Sequence, residues 1–326
     1  MRPRRLFLAS LIAIALAPGT WLRTPEPSDF DRLARIVPLA VDSARSGPFE
    51  LVAAWRMSGD PVQFGGLSAL VALDGTHFLA GSDTGRWLRF TRPDRSGLAP
   101  GEIAPLFADE DTIKESRDLE SLAVDPAHGI VWGGFEYRNS IMRFDAALEP
   151  NGEVRPPAMR RWDDNAGPET LVRLADGRFL AIAEGSRRWR GQHHRALVFA
   201  GDPVEGARAE RVVVEIPKGY RPVDATPAGD GRALVLLRRV IWGLPPGFAT
   251  AIAEIDIDDR APDGTIAARL LAEFGARIPQ DNYEGIALTE DPDGTHVWLV
   301  SDDNFMVFQR TILLKLLWRA REKARE

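Results

Sequence analysis

The chain of 326 residues has no cysteine. That excludes disulfides and thiolate metal sites, and it removes any cysteine signal of the redox compartment. Apolar runs are short. The longest clear one, Leu6 to Ala17, falls short of the ~20 residues of a membrane-spanning helix. Neither charge sign dominates: 41 basic and 47 acidic side chains give a formal charge of −6, without the basic surface that nucleic-acid binding needs. Three motif classes are missing as well. No Gly-x-Ser-x-Gly elbow occurs with plausible His and Asp partners. No phosphate-cradling loop and no dinucleotide fingerprint is found.

Hydrophobic residues make up 44% of the chain, enough for a sizeable core. The 29 Gly and 24 Pro suit many short strands joined by tight turns. Nine Trp against three Tyr is a bias in keeping with a propeller.

Arg2, Arg4 and Arg5 precede the apolar run Leu6 to Ala17, as in an export signal. Arg4-Arg5-Leu6-Phe7-Leu8 resembles the core of a twin-arginine signal. Ala15-Leu16-Ala17 offers small residues for cleavage, but Pro18 follows directly. The expectation is residues 1–17 as a signal peptide or uncleaved anchor, delivery to the periplasm or beyond, and no stable span otherwise. Residues 18–48 read as a linker, 49–318 as the folded body and 319–326 as a charged tail.

Five stretches share one pattern: a polar opening, an apolar strand, a turn with Asp, and a second apolar strand ending in charge. They begin at Phe64, Asp118, Gly167, Pro222 and Asn282. The aligned positions Gly66, Glu120, Glu169, Asp224 and Glu284 recur about every 50–60 residues, the spacing of propeller blades. Two further strands fit in most repeats, such as Ser140–Asp145 and Ala158–Trp162 after the second hairpin and Thr250–Ile257 and Thr265–Phe274 after the fourth. The fifth has only Arg310–Trp318 to add, while Phe49–Arg56 stands unpaired at the other end of the sequence. Placing that N-terminal strand outside the last blade closes the ring and covers an edge. The expectation is an all-β propeller of five four-stranded blades, with six blades, or a C-terminal amphipathic helix over Ile312–Arg325, as alternatives.

Antiparallel pairing puts the start of each inner strand beside the end of the second strand. Glu120 then meets Glu136, Glu169 meets Glu184, Asp224 meets Arg238, and Glu284 meets Asp302, with Asp83 joining from the first blade. Asp118, Arg138, Asn282, Asp303 and Asn304 flank this mouth. So many carboxylates repel one another. A divalent cation held by oxygen ligands, calcium above all, would offset that. So would neighbouring arginines (Arg117, Arg138, Arg187, Arg188, Arg238, Arg310), or retained protons, the route to a general acid. Turn-forming aspartates are the plain alternative for any one acid. His77, His128 and His296 fall at the opposite end and read as solvent-side turn residues. His193-His194 lie on a loop of the acidic face.

Phe64-Gly65-Gly66-Leu67-Ser68, Asp118-Leu119-Glu120-Ser121-Leu122, Gly167-Pro168-Glu169-Thr170-Leu171, Asp281-Asn282-Tyr283-Glu284-Gly285-Ile286 and Ser301-Asp302-Asp303-Asn304-Phe305, with Gln309-Arg310-Thr311 after it, resemble the phytase-like family, also called "esterase-like activity of phytase". The resemblance runs from about residue 49 to 318. It implies an exported β-propeller with characteristic acids, here Glu120, Glu169, Glu284, Asp302 and Asp303, and by its name phosphoester or phosphodiester hydrolysis.

The expected roles are these. Glu120, Glu169, Glu284 and Asp302 are catalytic. Arg138, Arg187, Arg238, Asn282 and Asn304 bind a small phosphorylated or ester substrate. Asp83, Glu136, Glu184, Asp224 and Asp303 hold the metal, with the protein acting as a monomer. Two alternatives stay open: a non-catalytic propeller that binds a ligand, metal or partner protein, and a lactonase- or sugar-dehydrogenase-type enzyme.

Overall fold

The computed structural model describes residues 32–95, 99–107, 117–163, 167–186, 191–229, 231–243, 247–306 and 309–319. Residues 1–17, expected to direct export, Arg187, Arg188 and the tail from residue 320 lie outside them. Strands β1 (Leu33–Leu39), β2 (Arg45–Ser46) and β3 (Phe49–Ser58) come first. A first sheet follows with β4 (Leu67–Ala72), β5 (His77–Ser82), β6 (Arg86–Thr91) and β7 (Gly101–Pro105). A second holds β8 (Leu119–Asp125), β9 (Ile130–Phe135), β10 (Ser140–Phe144) and β11 (Pro150–Val154). A third holds β12 (Thr170–Arg173), β13 (Phe179–Ser186), β14 (His193–Phe199) and β15 (Ala209–Glu215). Then come β16 (Arg221–Pro227), β17 (Arg232–Ile241), β18 (Gly247–Asp256), β19 (Thr265–Ala267) and β20 (Arg269–Glu273). The last are β21 (Asn282–Asp291), β22 (Gly294–Asp302) and β23 (Thr311–Trp318).

The chain is an all-β propeller. Successive strands pair antiparallel within each sheet. The inner strands β4, β8, β12, β16 and β21 each pack on the next, and β21 packs back on β4. Apolar side chains alternate between the two faces of each blade and fill the spaces between blades. Val172, Leu180 and Val214 of the third sheet, for example, meet Ala225, Leu237 and Ile255 of the fourth. Non-local pairing of this kind holds the molecule together by burial rather than by local propensity.

Closure is non-covalent. β3 pairs antiparallel with β23 in register Ile312↔Arg56, as expected for the N-terminal strand. Residues 33–39, read from sequence as linker, are instead strand β1. It pairs with β3 on one side and β7 on the other, so it joins the outer edges of the last and first blades. Its apolar residues alternate only partly, with Ala34 and Ile36 buried and Leu33 and Val37 exposed. Two other strand expectations differ. The second sheet ends with Pro150–Val154, while residues 159–161 form a 3₁₀ turn. Thr265–Phe274 breaks at Ala268, so β19 joins the third sheet in parallel and β20 the fourth antiparallel. Thr311–Trp318 is strand rather than helix.

At the rim away from the acids, a buried ion cluster fastens the closing seam. The fully buried Arg92 binds Asp291 with two N–H groups at 3.0 and 2.6 Å and Asp94 at 3.0 Å, and lies 5.1 Å over the Trp298 ring. Lys315 of β23 adds a 2.7 Å contact to Asp94. Hairpin aspartates on the same rim act as turn formers: Asp74 accepts from the Thr76 N–H and Asp125 from the Ala127 N–H.

Candidate functional site: an acidic channel mouth

One extra residue in each of four described inner strands, β4, β8, β16 and β21, shapes the mouth. The ladder skips from Leu67 to Ala69, Leu119 to Ser121, Pro222 to Asp224 and Tyr283 to Gly285. The skipped residues, Ser68, Glu120, Val223 and Glu284, are bulges, which re-aim a side chain out of the alternating pattern. In the remaining strand Glu169 stands immediately before the ladder starts at Thr170. The structural equivalents are thus Ser68, Glu120, Glu169, Val223 and Glu284.

This moves two sequence-aligned positions. Gly66 matches Asp118, not Glu120: each accepts a hydrogen bond from the first residue past its partner strand, Asp83 N–H and Glu136 N–H. Gly66 has φ +63°, and an added Cβ would run into the Asp83 carboxylate, so the site requires glycine. Asp224 lies one residue beyond the bulge and is fully buried. It accepts from Ile286 N–H and Ala225 N–H at 2.8 Å and from Leu70 N–H at 3.4 Å. Asp224 is therefore a structural acceptor within the channel and is corrected from its expected place among the mouth ligands. Burial pushes its pKa up while the three N–H groups pull it down.

The second-strand acids lie as the antiparallel register requires. Burial pushes Glu120 well above its ordinary pKa, and Glu169, Asp118, Glu136 and Asp83 push it the same way. Glu169 is raised by burial first, then by Glu184 and Glu136, with Arg238 opposing. Asp302 is pushed up to about 7 by burial, and by Asp83 and Asp303, against the Asn304 N–H that bonds it. These acids raise one another's pKa across blades. Carboxylate oxygens of Asp118, Glu120 and Glu136 lie within 4.8 Å of one another.

Arginines balance one side of the mouth. Arg238 donates to Glu284, to Asn282 Oδ1 at 3.1 Å and to Glu184 Oε1 at 3.2 Å. Asn282 Nδ2 adds 2.6 Å to Glu284. Arg221, which sequence reasoning did not single out, donates to Glu184 Oε2 at 2.7 Å. Its signal was faint: one more charged residue opening an inner strand. Arg138 is not among them: it pairs at 2.7 Å with Glu153 on the edge strand β11. Asn304 turns to Gln309 at 2.8 Å, and Asp303 accepts from Thr311 Oγ1 at 3.3 Å and Gly66 N–H at 3.4 Å, tying the last blade to the first.

The histidines divide. His77 and His128 pair with Asp74 and Asp125 at turns. His296, expected at the solvent side, is fully buried, 3.2 Å from Asp291 and 3.5 Å from Asp293. Those three residues have metal-ligand spacing. However, Arg92, Arg95 and Lys315 already crowd Asp291, so a cation there would meet three positive charges. His194 is buried too, its ring nitrogen donating to the Ala183 carbonyl at 3.1 Å, and burial lowers its pKa.

A propeller with converging carboxylates at one end of its inner strands is the class that fold and site define. The chain belongs to the phytase-like family, whose model, "Esterase-like activity of phytase", matches residues 62–305. Compared with curated protein sequences it matches none. Among solved structures it is similar to hydrazine synthase of Kuenenia stuttgartiensis at 11% identity and TM-score 0.39, over 75% of this chain and 58% of that one. It is similar to the WD40 β-propeller domain of Doa1 at 9% identity and TM-score 0.40, over 84% and 98%. It is also similar to the allergen Mala s 1 of Malassezia sympodialis at 12% identity and TM-score 0.42, over 86% and 96%. None of these likenesses speaks to chemistry.

Proposed function

We propose that the protein hydrolyses ester bonds, phosphoesters foremost, at the acidic mouth with the help of a bound divalent cation. The observation that carries this reading is the excess of carboxylates at Asp118, Glu120 and Glu136, beside Asp83 and Glu169. An all-oxygen donor set of this kind suits Ca²⁺. Such an ion, when bound, supplies Lewis-acid polarisation of a phosphoryl or carbonyl oxygen. Glu169, whose pKa is raised by burial and by Glu184 and Glu136, is the proton donor for the departing oxygen as a water adds to the phosphorus or carbonyl carbon. Arg238, fixed by Glu184 and Glu284, holds that side of the mouth in place. The basic and apolar N-terminal residues support export as the setting.

The test is metal content and a phosphoester and lactone panel for the parent, Glu120→Gln and Glu284→Gln. Glu120→Gln is expected to lose bound Ca²⁺ and at least tenfold in rate. Full metal content and full rate in both variants would remove the mouth from consideration.

One observation favours a second reading, ligand binding without turnover. Glu184 and Glu284 are already clamped by Arg221 and Arg238, so that side of the mouth is fixed scaffold. In that case Ca²⁺ raises the melting temperature while every ester stays intact.

A further inference from the structure

The detour of β19 into the third sheet builds a cavity away from the mouth. The turn before β19 brings Asp263 and Gly264 over the outer strands β14 and β15. Between that turn, those strands and the 3₁₀ turn at residues 159–161 lies a space of about 630 Å³. Its floor is apolar, with Ala158, Trp162, Leu197 and Val213. Its walls carry three arginines from three segments, Arg161, Arg195 and Arg211.

Strand register brings two of them together. Arg195 lies opposite Val213, and Arg211 opposite Leu197. Both arginines therefore stand on one face as diagonal neighbours, roughly 7–8 Å apart. Arg195 is held in place by donating to the Arg161 carbonyl at 2.9 Å. That acceptor is neutral and leaves the charge unmatched.

Arg92, Arg143, Arg178 and Arg238 all hold carboxylates. Among the described residues, no carboxylate pairs with Arg161, Arg195 or Arg211. The two acids of this cavity are engaged elsewhere: Glu210 accepts from Arg260 at 2.6 Å and Asp263 from the Thr265 N–H at 3.0 Å. Along the chain, the nearest residues outside the described ones, 164–166 and 187–190, contain one acid, Asp164, against three arginines. One acid does not match three guanidinium groups, so positive charge stays in excess whichever way those side chains turn.

Like charges set side by side on a sheet destabilise it, and an anion placed between them turns repulsion into attraction. Guanidinium groups offer parallel N–H donors that fit the oxygens of a phosphoryl group. An apolar floor below them covers an organic body.

We propose that this cavity binds a small organic anion, a phosphoryl or phosphonyl group on a compact apolar body, at a site separate from the carboxylate mouth. The three arginines take the oxygens, and Trp162, Leu197 and Val213 cover the body. The site does not depend on hydrolysis at the mouth.

Phenylphosphonate is the probe, because it has no ester bond to lose. Benzyl alcohol supplies a ring without charge. Both are titrated by calorimetry and by melting temperature in EDTA, which keeps Ca²⁺ from recruiting the anion to the mouth. Phenylphosphonate is expected to bind the parent and raise its melting temperature, and benzyl alcohol to do neither at the same concentration. Arg195→Gln with Arg211→Gln is expected to weaken binding by about tenfold or more. Arg160→Gln, at an exposed arginine outside the lining, is expected to leave it unchanged.

Arg211 is exposed, so Arg211→Gln alone keeps the test decisive if the double variant folds poorly. It is expected to bind phenylphosphonate more weakly, yet to melt no lower than the parent when the anion is absent, because it removes a repulsion. No binding to the parent, undiminished binding in both Arg211→Gln variants, or an equal loss in Arg160→Gln overturns the proposal. So does equal binding of benzyl alcohol, or a lower melting temperature of Arg211→Gln without the anion.

Discussion

The Asp224 carboxylate accepts backbone N–H groups from β16, β4 and β21, and inner strands have no neighbour on their channel side to do so. Asp224→Ala leaves at least two short-range donors buried without acceptors, and each such orphan costs about 1–3 kcal/mol. A clear fall in urea midpoint is expected, with Asp224→Asn milder because its Oδ1 still accepts. The mouth acids act on stability through pH. Asp302 has its pKa raised to about 7, while the unfolded carboxyl titrates near 4. Between these values the folded state keeps a proton that the unfolded state has released, so stability present at low pH drains away as pH rises towards 7. Glu120 and Glu169 shift in the same direction. Asp94 and Asp291, lowered by their arginine and lysine partners, act oppositely, and their contribution is lost only as pH falls through the acid range below 4. In EDTA the unfolding free energy is expected to fall from pH 4.5 to 7 and to recover when Ca²⁺ is added at pH 7. A profile that is flat in EDTA and indifferent to Ca²⁺ counts against a crowded, cation-demanding mouth.

Strand β1 covers β3 and β7 at once. A chain lacking residues up to 40 exposes both edges, and unpaired edges recruit other chains. Such a truncation is expected to keep its β circular-dichroism signal yet form dimers or larger species by light scattering, where the full chain does not. β1 was illegible in the sequence because its polar and apolar residues barely alternate. β3, with Phe49, Leu51, Trp55 and Met57 buried, announced itself plainly. The second-strand ends were legible for a similar reason: Asp83, Glu136, Glu184, Arg238 and Asp302 each close an apolar run at a regular place. The inner-strand bulges were not. A single extra residue shifts every later side chain by one position without changing composition, so Gly66 was taken for Ser68 and Asp224 for Val223. Arg138 was misplaced because sequence nearness does not say which strand its long side chain follows.

Across the whole molecule, the first and last blades are held together by burial, by β-pairing and by the Arg92–Asp291–Lys315 cluster. Arg92 has no solvent to fall back on. Breaking a buried pair of this kind costs about 3–5 kcal/mol, so Asp291→Asn is expected to lower the melting temperature sharply without altering metal content at the mouth. His296 belongs to this cluster, and its burial was hidden because its two siblings, His77 and His128, do sit at open turns. Between the seam rim and the acidic rim, the middle of the ring is occupied. The inner strands beyond Asp224 border an apolar recess lined by Val71, Leu122, Val172 and Leu288, and Asp224 itself is fully buried. The two rims thus present unlike surroundings, carboxylates on one side of Asp224 and apolar side chains on the other.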